Sequence, residues 1–465
     1  MRTAVLIPDG VGVRNFVIGR FLHDLTAEGA ADVFHVVPDD LLARFHDGLD
    51  GRVAWHPLIP YRQSRAILAM NYSLGYAQMY WADTVSMRRL RAAPPRGSWQ
   101  NKALTHASRA VGRMASGPAR MRALDRLHCR AVSRRPEARY YLDAFRRLRP
   151  RVVFSSNQRP TAVLPAVLAA RELGIPTATF IFSWDNLSSK GRIAAPFDYY
   201  LVWSEHMRRE LLRYYPDVAP ERARVVGTPQ FEPYADCGLL WSREAFFGRI
   251  GADPSRALIC YSGGDAGTCP EDQDHVRVLM ELVRAGRIQG NPQVLVRPVP
   301  VDDGARYAGV RRDFPELIYC QPEWVHAAPG DWTRVIPTPE DIRFLANLTR
   351  HCDLNINLGS TMTLDFGIHD KPVVNVAFDV ADPPVFGLPV WDYYYNFEHY
   401  RPVVELGAAR FARSPEQLAA HVNAYLRDPS LDREGRRKLA ALQVGAPLGQ
   451  SCARIVEALR EIGGA

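Results

Sequence analysis

Residues 352–379, CDLNINLGSTMTLDFGIHDKPVVNVAFD, constrain the fold more than any other stretch of the chain. Apolar and polar residues alternate over 353–358 and stop at Gly359-Ser360-Thr361. A helical pattern follows over 363–369, and Lys371-Pro372 leads into a second apolar run at 373–378. Strand, glycine turn, helix, strand is the unit of a parallel sheet, because parallel neighbours need a crossover and a helix supplies it. A strand that turns directly into a helix also leaves the first helical N–H groups without backbone partners. With two hydroxyls beside them and the helix dipole aimed the same way, these groups offer a phosphate site; the plain alternative is an ordinary βα turn.

The same grammar recurs along the chain. Residues 4–8 read as a first buried strand and not as a signal peptide, followed by DGVGVRNF, an amphipathic helix over 16–28 and a strand at 33–37. Gly10-x-Gly12 invites a dinucleotide-binding reading, but Asn15 stands where the third glycine belongs. Strands are expected at 151–156, 177–182, 199–202 and 224–226, with helices over 161–173 and up to Arg213. GTPQFEPY at 227–234 is a turn-rich linker. Beyond it come a strand at 257–261, the glycine turn SGGDAGTCPED at 262–272, a helix over 273–285 and a strand at 293–297. A short strand closes at Ile336, and helices are expected over 338–348, 415–426 and 451–462. The expected fold is therefore α/β, with two Rossmann-like doubly wound domains. Residues 1–226 form the first, 227–240 the linker, 241–450 the second and 451–465 a C-terminal helix.

Between 62 and 151 the strand signals fade and two to four helices are expected, as an insertion in the first domain. The chain's net charge of +8 is concentrated here: residues 88–151 hold 18 Lys and Arg against three acids, a local +15, and leave the rest at −7. Such a segment is either a solvated helical face or a surface for anionic lipid headgroups or a lipid-diphosphate acceptor. No nucleic-acid recognition motif accompanies it, so nucleic acid is not an expected partner. No run of about 18 apolar residues could span a bilayer. The expected location is cytoplasmic, with peripheral contact at the inner membrane face left open. Seven scattered cysteines with no CxxC or HExxH spacing argue against a disulfide framework or a structural metal.

Gly227-Thr228-Pro229, and Gly359-Ser360-Thr361 with Asp365 and Lys371-Pro372-Val373, resemble the GT-B glycosyltransferases. SWDNLSSKG at 183–191 resembles bacterial surface-polysaccharide and lipid-linked glycan transferases, and distantly the glycerophosphotransferases. The resemblance implies a nucleotide-sugar co-substrate in the C-terminal domain, a glycan or lipid-linked acceptor in the N-terminal domain, reaction in the cleft between them, and no metal or further cofactor. It places Gly359, Ser360 and Thr361 on the donor diphosphate and Asp365 on a sugar or ribose hydroxyl. Gly263 and Gly264 fall at the donor domain's first turn, although Asp265 beside them would repel a phosphate. Arg297 would neutralise phosphate; its RPVP context carries Val299 where a glycerophosphotransferase-like RxHP pattern has histidine. Asp9 and Asp185 are the candidate bases, each at the carboxyl end of a strand. Gly12, Arg14, Trp184 and Lys190 are candidates for acceptor or phosphate binding. His206, His351 and His369 read as structural. The alternatives are a glycerophosphotransferase-like enzyme, a nucleotide-sugar 2-epimerase of the same fold, or a non-catalytic membrane-associated scaffold.

Overall fold

The structure is a computed structural model that describes residues 1–27, 29–45, 49, 51–326 and 335–464. It divides into two compact units, Met1–Gln230 with Val444–Ala465, and Phe231–Gln443.

The first unit is built on a seven-stranded sheet. Its strands are β1 (Arg2–Ile7), β2 (Ala30–His35), β3 (Val53–Pro57), β4 (Val152–Ser155), β5 (Thr177–Phe180), β6 (Tyr199–Val202) and β7 (Ala223–Val225). They run parallel in the order β3-β2-β1-β4-β5-β6-β7. Helices cover both faces, so the central strands read as unbroken apolar runs; five of the six residues of β1 are buried. Phe16 anchors one face, edge-on to Phe21, Phe154 and Phe180 at 5.1–5.3 Å.

The single helix expected over 16–28 is two pieces. Asp9 caps a turn of helix at Gly10–Val13 that widens into a π-turn at Arg14–Ile18. Gly19 is extended, and Phe21–Thr26 resumes the helix; Glu28 lies outside the described residues. The edge strand β3 was not anticipated, because its sequence VAWHP is short and only half-buried.

Five helices, not two to four, fill the connection from β3 to β4: Arg65–Ala82, Val85–Ala92, Trp99–Ala115, Pro118–Ser133 and Pro136–Leu148. Local signals divide them. Ser64, Thr84 and Ser98 cap the first three through their hydroxyls, and Pro118 and Pro136 occupy first turns where the missing N–H costs nothing. The C-terminal helix Ser451–Ile462 belongs to this unit. Arg151 binds the carbonyls of Gly463 and Gly464 at 3.1 and 3.2 Å, and a Cβ at Gly227 (φ +82) would meet Ser451 Oγ at 2.5 Å.

The second unit carries β8 (Leu258–Ser262), β9 (Gln293–Arg297), β10 (Ile318–Tyr319), β13 (Leu354–Asn357), β14 (Val373–Val376) and β15 (Arg410–Ala412), with a separate antiparallel ribbon of β11 (Trp324–His326) and β12 (Val335–Pro337). The main sheet is parallel in the order β10-β9-β8-β13-β14-β15. Its core packs Tyr261, Val296, Ile356 and Val376 against Leu279, Met280 and Val422.

Candidate functional site

In the second unit β8 and β13 are neighbours, with Ser262 opposite Asn357. The chain leaves β8 towards β9 on one side and leaves β13 towards β14 on the other. The loops after these two strands therefore diverge and open a crevice at their carboxyl ends, where doubly wound sheets place ligands.

The loop after β8 is held from below by the buried carboxylate of Asp272. It accepts from the Tyr261 hydroxyl at 2.5 Å, the Tyr307 hydroxyl at 2.7 Å and the Gly264 N–H at 2.7 Å. Burial pushes this carboxyl up from its ordinary range, and the hydrogen bonds and Arg306 oppose the shift. A Cβ at Gly263 would overlap the Tyr307 hydroxyl and approach Asp272 Oδ2 to 2.9 Å, so only glycine fits. Arg306 staples the loop by donating to the carbonyls of Gly264 and Cys269 at 2.5 and 2.6 Å, and it pairs with Asp302 at 2.6 Å. Asp265 is half-buried and accepts from the Gly267 N–H at 2.7 Å.

The loop after β13 turns at Gly359 (φ +62). Ser360 N–H donates to Asn357 Oδ1 at 2.9 Å, Met362 N–H donates to Ser360 Oγ at 3.3 Å, and Thr361 opens the helix Met362–Ile368 without a side-chain cap. Under the turn lies a ladder of buried polar groups. Asn355 donates to Ser262 Oγ at 2.8 Å, Asn357 donates to Asn355 at 2.7 Å and to Thr363 at 3.1 Å, and Tyr400 bridges Thr363 and Asn375 at 2.8 Å each. A connected network of this kind makes the turn rigid.

Tyr394 joins the two loops. Its Cβ lies where it would be 3.5 Å from a Cβ at Gly359, and its hydroxyl donates to the Thr268 carbonyl. Beside it is a small pocket. Glu271, Asp272 and Asp379 supply its acids, and Leu358, Phe386 and Tyr393 part of its apolar wall. Burial raises the Glu271 carboxyl. His275 lies in the same wall, with Nε2 at 3.1 Å from the Phe378 carbonyl and Nδ1 buried without a hydrogen-bond partner.

Two of the expected donor residues stand elsewhere. Nη2 of Arg297 is bound by both oxygens of buried Asp341, so the strand-end position did not leave that charge open to a phosphate. Asp365 is buried and accepts from the Tyr234 hydroxyl.

In the first unit the corresponding switch lies between β1 and β4. Asp9 caps Gly12 N–H at 2.8 Å and accepts from Asn157 Nδ2 at 2.6 Å, and burial pushes its carboxyl up. A Cβ at Gly12 would strike Ser156, so the helix start can press against β4 only with glycine there. Gln158 carries the network on, donating to Asn186 at 2.9 Å and accepting from Phe182 N–H at 3.0 Å. Asp185 accepts from Ser189 at 2.8 Å and pairs with Lys190 at 3.6 Å. Trp184 is 3% exposed, so its indole packs inside the protein and presents no open face to a sugar. Arg14 donates to Asn15 at 2.9 Å and Gln230 at 3.0 Å. Asp9 with Gly12, and Asp185 with Lys190, thus lie in the loops that follow the carboxyl ends of β1 and β5.

One cluster escaped sequence reasoning. Asp125, His128 and Cys129 bring their ligand atoms within 4.8 Å of one another. Arg192 already holds Asp125, and burial pushes the Cys129 thiol up to about 12, away from the thiolate that binds metal. The sequence reading also missed Asp272, Arg306 and Tyr394. A legible signal existed for the ladder alone: Asn355 and Asn357 sit two apart inside an apolar strand, so both point to one buried face and must be hydrogen-bonded there.

The two doubly wound sheets and their helices define an α/β fold of the GT-B kind. Solved structures share it over the whole chain. The UDP-GlcNAc 2-epimerase from Neisseria meningitidis bound to UDP-GlcNAc aligns with a TM-score of 0.55 at 10% identity, covering 99% of this chain and 100% of that one. The UDP-GlcNAc 2-epimerase from Methanocaldococcus jannaschii aligns at 0.52 and 12%, with the same coverage. A glycosyltransferase from Rickettsia africae ESF-5 aligns at 0.50 and 10%, covering 99% and 98%. No protein-family model matches the chain, and no curated protein matches it.

Proposed function

We propose that the protein is an enzyme of nucleotide-activated sugars that transfers the sugar to a glycan or lipid-linked acceptor. The observation that carries this reading is the paired turn in the second unit, Gly263–Gly264 and Gly359–Thr361, bridged by Tyr394 at the sheet's switch point. Two glycine turns let backbone approach a ligand closely, and the turn at 359–361 adds two hydroxyls suited to a diphosphate. The adjoining pocket, acidic and aromatic, suits hydroxyl-rich or stacking groups better than phosphate. A nucleotide-diphosphate leaving group needs its growing charge balanced and an acceptor hydroxyl oriented. Asp9 and Asp185 are the proposed base candidates, and burial raises the Asp9 carboxyl, which favours its taking up a proton.

A second reading, 2-epimerisation of the sugar itself, is favoured by Glu271, Asp379 and His275 gathered in one pocket wall, since proton abstraction from a sugar carbon requires acid–base groups there. One experiment separates the readings. Purified protein is titrated by calorimetry with UDP, GDP, CMP and CDP and their sugar conjugates, then incubated in D2O with whichever donor binds. Release of nucleotide dependent on an added acceptor supports transfer, whereas deuterium at the sugar C2 without release supports epimerisation. Absence of binding by every nucleotide, with Gly359→Asp indistinguishable from wild type in cells, would sink both and leave a scaffold role.

A further inference from the structure

The helical insertion is not absorbed by this reading. Eight of the eleven large apolar side chains that stand most exposed in the described chain lie between residues 72 and 140, the region that also carries the excess positive charge. The two properties meet on the helix Trp99–Ala115. Its inner side is set by Gly112, where a Cβ would meet Tyr76 Cβ at 2.5 Å and the Ser73 carbonyl at 2.8 Å, and by buried Ser108. Both lie against the helix Arg65–Ala82, so the opposite face must point outward. That outer face carries Trp99 at 76% exposure and Met114 at 64%, with Ala103, Ala107 and Ala110 between them. Lys102 and Arg113 flank the stripe, and the helix contains no acid. The next helix, Pro118–Ser133, presents Leu127 at 55% exposure beside Arg126 and Arg130. Among the described residues, none of Lys102, Arg113, Arg126 and Arg130 has a carboxylate partner.

We propose that this face docks on an anionic lipid bilayer, with Trp99, Met114 and Leu127 entering the headgroup boundary and Lys102, Arg113, Arg126 and Arg130 meeting lipid phosphates. An apolar stripe with a cationic rim matches an interface that is apolar inside and negatively charged outside. A protein partner would leave the large positive excess without a defined counterpart, and a nucleic acid would leave the aliphatic stripe unused. The indole of Trp99 is suited to the boundary, with an apolar body and one N–H donor.

The test uses the full-length protein and unilamellar vesicles, read by co-sedimentation and by quenching of tryptophan fluorescence with brominated acyl chains. Binding is expected to phosphatidylcholine vesicles that contain phosphatidylglycerol and not to phosphatidylcholine alone, and to weaken as salt rises. Arg126→Ala and Arg130→Ala should each lower affinity about fivefold, and Trp99→Ala on the order of tenfold. Trp99→Phe should remove most of the quenching while binding persists. All three positions are exposed, so circular dichroism and Tm should not change. Equal binding to neutral vesicles, quenching unchanged in Trp99→Phe, or tighter binding to single-stranded RNA lost in the same variants would each overturn the proposal. These readouts do not require catalysis, so they stand or fall apart from the proposed reaction.

Discussion

Nη2 of Arg297 lies 2.8 Å from both carboxylate oxygens of Asp341, and the two side chains are 7% and 4% exposed. Asp341 also accepts from Glu323 N–H at 2.9 Å and Trp324 Nε1 at 2.7 Å, so the pair anchors the β11–β12 ribbon to the sheet. Removing one partner leaves a buried charge without compensation. Arg297→Met should therefore cost about 3–5 kcal/mol of stability, measured by urea unfolding. Nucleotide affinity of the folded variant should stay near that of wild type. Unchanged stability with lost nucleotide affinity would return Arg297 to the role of phosphate ligand.

Arg306 is the cation beside the glycine turn, with its side chain 15% exposed and two loop carbonyls in its grip. Arg306→Gln should weaken nucleotide binding about tenfold or more, through lost charge and a loosened loop. Gly263→Ala should do the same by overpacking against Tyr307 and Asp272, at a stability cost of about 1–3 kcal/mol. Calorimetric titration of both variants checks this, and wild-type affinity in either places the ligand elsewhere.

The cap role of Asp9 and its proposed role as base can be separated by substitution. As a helix cap it holds Gly12 N–H, and Asp9→Ala should cost about 1–2 kcal/mol in stability. Asn can still accept that bond but gives up the one from Asn157 Nδ2, so Asp9→Asn should fold at a cost of about 1–3 kcal/mol. If Asp9 is the base, Asp9→Asn should lose about 10²–10⁴-fold in turnover, far more than that modest loss of stability explains. A fully active Asp9→Asn would leave the cap as its only role and pass the base to Asp185.

His128 is buried, both ring nitrogens lack hydrogen-bond partners, and burial beside Arg192 pushes its pKa down to about 4. The unfolded chain takes up this proton near pH 6.5, whereas the folded protein resists until about pH 4. Stability should thus fall as pH drops through this window, by on the order of 2 kcal/mol from this residue. Urea unfolding at pH 7 and pH 5 measures the slope, and His128→Leu should flatten it. An identical slope in the variant would assign the acid sensitivity to other groups.

Much of the architecture was written locally. Gln293–Arg297, Tyr199–Val202 and Ser451–Ile462 form the elements that their apolar periodicity indicated, because burial on both faces of a parallel sheet demands such runs. Ser64, Thr84 and Ser98 likewise mark helix starts by chemistry that acts within three residues. The glycine turn at 359–361 also forms where its sequence placed it, after β13 and before a helix.

Partnership between distant residues was decided only by tertiary structure. Nothing near Arg297 in the chain announces Asp341, and nothing near Asp365 announces Tyr234, yet those contacts withdraw both side chains from the surface. Tyr394 reaches Thr268 across 126 positions, and Arg306 reaches Gly264 across 42. Local sequence determines backbone preference and which face is apolar, because those depend on neighbours within a turn or two. Whether a charged residue meets ligand or protein depends on which loops the sheet order brings together. The paired turns at β8 and β13 owe their shape to the first cause and their meeting to the second.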